Sequence, residues 1–181
     1  TVIDIGSPKG RQFLGSGWYY DEVNRKTGES FVWSRGSASV VEFHLGWRRD
    51  LRLSVRVRSF HYGGAKPQIL KLELNSHPIA RLELNPSFRD FQVDVPADCQ
   101  VVGRNTLVAR YGRVDAPTDV TPGSTDARDL AVAWSEMRLE VIDNTSVKVD
   151  SASISLPAGA RVDFFFELEH LLFELPDQPL V

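Results

Sequence analysis

The residue types best suited to holding a ligand gather near the start of the chain. Trp18, Tyr19, Tyr20 and Trp33 are interleaved with Glu22 and Arg35. Flat aromatic rings stack on the C–H faces of sugars, and sugar hydroxyls need planar polar partners such as carboxylates, amides and guanidinium groups. Ligand sites combine apolar walls with a few placed polar groups of this kind. Arg128 and Asp129, far along the chain, are of the same type and join the candidate set. Trp18 and Trp33 also suit a core, where large rings bury much area. Tyr19 and Tyr20 are adjacent, so in a strand only one of them faces inward.

Three charged groupings offer other chemistry. Glu22, Asp126 and Arg128 fit an arginine bridging two carboxylates, which would pin a long loop to the N-terminal segment. Asp115, Asp119, Asp126 and Asp129 offer oxygen atoms to a structural calcium, although their spacing matches no EF-hand. Arg52, Arg56 and Arg58, with Arg48 and Arg49 nearby, read either as a solvated strand face or as a surface for an acidic glycan or lipid headgroups.

Signs of catalysis are thin. Gly15-Ser16-Gly17 is not a nucleophile elbow, and the segment GSPKGR (6–11) lacks the Lys-Ser/Thr ending of a phosphate-binding loop. Glu167 and His170 form a single E-x-x-H, short of a di-metal set. His44, His61, His77 and His170 show no metal-ligand spacing, and Cys99 is the only cysteine, which excludes an internal disulfide. The expectation is a protein without enzymatic activity; a hydrolase or lyase would require convergent carboxylates or a His–Tyr pair.

The elements that must position these residues follow from a period of two. Leu51, Leu53, Val55 and Val57 alternate with Arg52, Ser54, Arg56 and Arg58, and similar alternation recurs at 41–45, 70–74, 82–84, 91–95 and 107–111. Leu130, Val132 and Trp134 share one parity and Met137, Leu139 and Val141 the other, which predicts a bulge between them. LKLELN and ARLELN flank Asn75-Ser76-His77-Pro78 and read as a hairpin, and the stretch 114–129 reads as a long polar loop. Short strands at such spacing predict an all-β antiparallel sandwich or barrel. In the tail, two strands are expected around Pro157-Ala158-Gly159, with Val162, Phe164, Phe166 and Leu168 alternating; a helix is the competing reading, because Asp163, Glu167, His170 and Glu174 form one stripe.

The 181 residues carry a formal charge of −3 and are 42% hydrophobic and 25% charged, an ordinary folded composition with no electrostatic case for nucleic acid. No stretch is apolar enough to span a bilayer as a helix. The start at Thr1, without an initiator Met, is expected of a mature or excised segment of something longer. Asn144-Thr145-Ser146 fits the glycosylation pattern.

Four segments together carry a resemblance: LGSGWYYDE (14–22), GESFVWSRGSASV (28–40), LELNSHPIARLEL (72–84) and VPADCQVVGRNTLVARY (95–111). The last is similar to the G-x-N-x-L turn of galactose-binding-like jelly-roll domains, in which the Gly permits a positive-φ turn and the Asn caps it. The opening segment and the Asp126-Ala127-Arg128-Asp129-Leu130 run resemble β-sandwiches attached to bacterial membrane glycosyltransferases and polysaccharide-processing enzymes. The resemblance implies a galactose-binding-like, carbohydrate-binding-module-like jelly roll over residues 1–142; residues 143–181 lie outside it and are expected to be a β-rich extension packing on the sandwich. It implies a non-catalytic, extracytoplasmic envelope module that binds glycan or polysaccharide through Trp18, Tyr19, Tyr20, Glu22, Trp33, Arg35, Arg128 and Asp129 without a cofactor, a structural calcium aside. It further implies an attached membrane glycosyltransferase, or a homo-oligomer, as partner. The alternative is a structural or docking sandwich mediating protein contacts within polysaccharide-synthesis machinery.

Overall fold

Each period-two run forms a strand, because alternate side chains leave a strand on opposite faces and only one face here reaches the core. The computed structural model describes residues 2–142, all within the compact unit Thr1–Asn144. Ten strands follow in order: β1 (Val2–Asp4), β2 (Trp18–Val23), β3 (Ser30–Arg35), β4 (Ala38–Leu45), β5 (Leu51–Ser59), β6 (Gln68–Leu74), β7 (His77–Leu84), β8 (Arg89–Val95), β9 (Gly103–Tyr111) and β10 (Leu130–Val141). One short helix, α1 (Pro117–Val120), lies in the loop before β10.

The strands form two antiparallel sheets. Sheet A runs β2-β3-β10-β5-β8, with β1 also paired to β10, and sheet B runs β4-β9-β6-β7. β5 covers one edge of β10 along most of its length, so β3 and β1 share the other edge in succession. The inner faces meet in one core. Val32, Val55, Val57, Trp134 and Met137 of sheet A pack with Val41, Leu70, Leu72, Leu107 and Ala109 of sheet B, all at most 2% exposed. Burying each such aliphatic side chain stabilises the fold by roughly 1.5–3 kcal/mol. Tyr111 is buried in the same core, where its hydroxyl pairs with Ser39 Oγ; burial pushes its pKa up.

The bulge expected before Met137 is present, since the β10–β5 register shifts between Trp134 and Glu136. The shared parity of Leu130, Val132 and Trp134 is corrected. A second shift lies between Leu130 and Ala133 against β3, and Leu130 joins Phe31, Trp33 and Ala133 in a separate hydrophobic cluster. Residues 130–134 are all buried, so alternation there carries no information about which face is which.

The hairpin between β6 and β7 turns through Asn75 and Ser76, at φ 48° and 70°, the left-handed pair that matches strand twist. Gly103 opens β9 at φ 103°, a conformation that favours glycine. Between these turns lies an amide pair. Asn75 Nδ2 donates to Asn105 Oδ1 at 2.8 Å and to the Cys99 carbonyl at 2.9 Å. Asn105, fully buried, donates to the Val101 and Gly103 carbonyls and accepts from Val101 N. The asparagine of the G-x-N-x-L motif therefore ties one sheet B turn to another.

Among the described residues, no helix is long and apolar enough to cross a membrane. The tail strands and the competing helical stripe, the Glu167–His170 pair and Asn144-Thr145-Ser146 lie outside the described residues. Asn105→Ala removes partners from several buried polar groups and is expected to destabilise the sandwich by about 2–3 kcal/mol, read as a lower urea midpoint at unchanged slope.

Candidate functional site

The outer face of sheet A holds the site. Ala133 of β10 pairs with Trp33 of β3 on one side and Arg58 of β5 on the other. All three side chains lie opposite the core-facing Val32, Val57 and Trp134. Because the middle strand contributes only a methyl group, the Arg58 side chain leans across it onto the indole. The guanidinium carbon lies 4.9 Å from the Trp33 ring centre, 5.2 Å from that of Phe31 and 5.1 Å from that of Phe88. Three rings thus surround one cation, each contact worth on the order of 0.5–1 kcal/mol. Trp33 meets Phe31 and Phe60 edge-on, and Phe60 leads on to Tyr62 at 6.0 Å. Trp33, Arg58, Ser59, Phe60, His61 and Pro86 line an open groove of about 320 Å³.

Arg48, Arg52 and Arg56 of the arginine stripe are each paired with acids of neighbouring segments. Arg52 bonds Asp94 at 2.9 Å, Arg56 bonds Glu29 at 2.8 Å and Asp90 at 3.3 Å, and Arg48 bonds Asp98 at 3.1 Å. Arg49 lies over the Trp47 ring. Arg58 has no carboxylate partner among the described residues, and its Nε is buried without a hydrogen bond. Burial lowers its pKa, while Glu22 and Glu29 act in the opposite direction; the group stays charged, as arginine does in proteins.

At the β2 end of this face, Arg128 forms the expected bridge. It bonds Glu22 at 2.5 Å and Asp126 at 2.8 Å, pinning the loop before β10 to β2. Hydrogen bonding to Asp126, and then to Glu22, raises the Arg128 pKa against the desolvation that lowers it; the Arg128 hydrogen bond holds Asp126 below its usual range. The Tyr19 ring lies 5.4 Å from the Arg128 guanidinium carbon and 5.9 Å from that of Arg35, and its hydroxyl accepts from the Asp129 backbone N–H at 3.0 Å.

The eight sequence candidates therefore divide among four places. Tyr19, Glu22, Arg35, Arg128 and Asp129 meet at the β2 end of the outer face, and Trp33, only 6% exposed, forms part of the groove. Trp18 packs on the inter-sheet core, edge-on to Trp134 at 5.8 Å, with its Nε1 donating to the Val40 carbonyl at 2.7 Å. Tyr20, 87% exposed, is the neighbour of Tyr19 on strand β2, which has a single paired side. Sequence reasoning did not single out Phe60, Phe88 or the separate standing of Arg58. The available signal was Ala133 among bulky apolar residues, a gap on a strand whose partners carry Trp33 and Arg58. Of the loop acids considered for calcium, Asp115 is held by Arg113 and Tyr62 and Asp126 by Arg128; among the described residues no cluster of three or more metal-ligating side chains occurs.

No protein-family model and no curated protein matches the chain. Solved structures do. The family 35 carbohydrate-binding module of Abf62 from Cellvibrio japonicus aligns at 14% identity over 77% of this chain and 93% of its own, with a TM-score of 0.51. A family 35 module from Clostridium thermocellum aligns at 13% identity over 78% and 98%, TM-score 0.48. A module of lichenase 5A from Cellvibrio mixtus, solved with cellotriose, aligns at 10% identity over 78% and 97%, TM-score 0.44. The sandwich is a galactose-binding-like jelly roll.

A carboxylate whose pKa is depressed on folding contributes stability that is complete above its unfolded pKa and is lost as the pH falls through the folded value. The destabilisation caused by Asp126→Asn, read from urea midpoints, is therefore expected in full at pH 7 and to shrink as the pH drops below about 4.

Proposed function

We propose that this chain is a non-catalytic carbohydrate-binding module whose binding surface is the outer face of sheet A. The observation that supports this reading best is the second hydrophobic cluster. It places Trp33, Phe31, Phe60, Phe88 and Tyr19 on the face of the sheet turned away from the core, beside an open groove. Aromatic rings next to fixed polar groups suit a pyranose, which presents an apolar face and a rim of hydroxyls. Tyr19 and Phe60 are the stacking residues in this reading, with the buried Trp33 beneath them as support, and Arg35 and Asp129 the polar ones. Trp18 supports the core, and Glu22 and Arg128 position the loop.

Two further features fit. The carboxylates of this face are held by arginines, Glu22 by Arg128, Glu29 and Asp90 by Arg56, and Asp94 by Arg52, which favours recognition over acid–base chemistry. The likeness to solved carbohydrate-binding modules extends over most of the described residues. An extracytoplasmic, envelope-facing location and a place beside a polysaccharide-processing enzyme follow from the same proposal, with residues 1–142 as the binding unit and 143–181 as an extension of it.

Titration calorimetry of the full chain against xylan, β-glucan, galactan and polygalacturonate tests the reading. Binding to at least one polymer is expected, weakened about tenfold by Phe60→Ala and unchanged by Tyr20→Ala. Absence of binding to every polymer class refutes the module assignment.

A further inference from the structure

We infer that the groove beside Trp33 selects an anionic sugar, with Arg58 receiving the carboxylate of a uronic-acid residue. This rests on the carbohydrate-binding reading above and specifies the ligand's charge.

The argument begins with what Arg58 lacks. A cation set among aromatic side chains loses hydration, and such a loss is ordinarily offset by a paired acid. The neighbouring arginines of the same strand, Arg52 and Arg56, follow that rule. Arg58 does not, although two carboxylates act on it through space. Glu22 is bonded to Arg128 and Glu29 to Arg56, so neither is available. Its Nε is turned inward and unbonded, and the side chain forms part of the groove lining. The three ring contacts hold the guanidinium in place before any ligand arrives.

A guanidinium held in this way is matched to a planar anion. Its two terminal nitrogens present parallel N–H donors, the geometry that pairs with a carboxylate in a bidentate bond. The aromatic surroundings lower the local dielectric, so the charge pair is stronger there than on open surface. A uronic acid joins the two requirements in one molecule, with a ring face for the half-buried Phe60 and a carboxylate for Arg58. The exposed His61 at the same groove adds a nitrogen for a neighbouring hydroxyl.

The test uses the full chain with polygalacturonate, the same polymer after carboxyl reduction to galactan, and a sulfated galactan that carries no uronic acid. Carboxyl reduction is expected to weaken binding at least tenfold in the unmodified protein, and Arg58→Gln to weaken polygalacturonate binding to a similar extent while abolishing sensitivity to reduction. Arg58→Lys, which keeps the charge and loses the fork, is expected to fall between the two. The reduction arm needs no variant, so it decides the matter even if Arg58→Gln folds poorly. Equal binding of the native and reduced polymers overturns the inference and leaves the module reading standing. Carboxylate-dependent binding that survives Arg58→Gln in a folded variant overturns the assignment to Arg58. Equally tight binding of the sulfated galactan, lost in the same variant, overturns the choice of a carboxylate. Failure to bind any polysaccharide overturns both readings.

Discussion

Strand β10 is the constraint on which the rest of the structure hangs. It pairs with β1, β3 and β5, and its first half is buried on both faces. A strand in that position must satisfy two packing problems at once. Val132 and Trp134 fill the space between the sheets, while Ala131 and Ala133 add little bulk. The two register shifts on β10 let one strand serve β3 and β5 despite their different alignments. Bulges of this kind commonly re-aim side chains next to functional surfaces. Here the consequence is that Trp33 and Arg58, on strands that do not pair with each other, meet above a methyl group.

Charge on the outer face is organised by the same sheet. Toward β8 and the end of β10, arginines and acids lie opposite one another across strands, Arg52 with Asp94 and Arg56 with Asp90, and Arg138 sits between Glu136 and Glu140. Such exposed pairs each contribute little to stability, about 0–1 kcal/mol, but they keep a charged face soluble and locally neutral. Toward β3 the acids give way to aromatic rings, and Arg58 stands at the border. The Glu22–Arg128–Asp126 bridge closes the β2 end and fixes the loop that carries Asp129. A surface that is neutralised on one side, pinned on the other and aromatic between them is well shaped to read a ligand with an apolar face and a charged edge.

Much of this was legible in the amino-acid order. Period-two alternation located the strands of the core, because a residue in a half-buried strand has no freedom over which face it occupies. The hairpin turn between β6 and β7 was legible too, and the resemblance of the G-x-N-x-L run pointed to the positive-φ turn at Gly103. The Glu22–Arg128–Asp126 bridge was one of two readings open to those residue types, ligand contact being the other, and the fold brings Glu22 to Arg128. Parity misplaced Leu130, because its run is apolar at every position and alternation there does not tell one face from the other.

What the sequence could not determine by itself was the company each side chain keeps across strands distant in the chain. Trp18 and Trp33 are alike as residues, yet one packs on the core with its N–H bonded to Val40 and the other lies on the opposite face beside Arg58. That difference follows from β2–β3 pairing with a register shift after Trp18, a long-range fact. The arginines of β5 likewise look equivalent in order. Only the placement of Asp94, Asp90 and Glu29 on neighbouring segments separates the paired ones from Arg58. Local backbone preference and alternation determine the strands, but the neighbours that give a side chain its chemistry are chosen by sheet order and register, which exist only once the chain has folded.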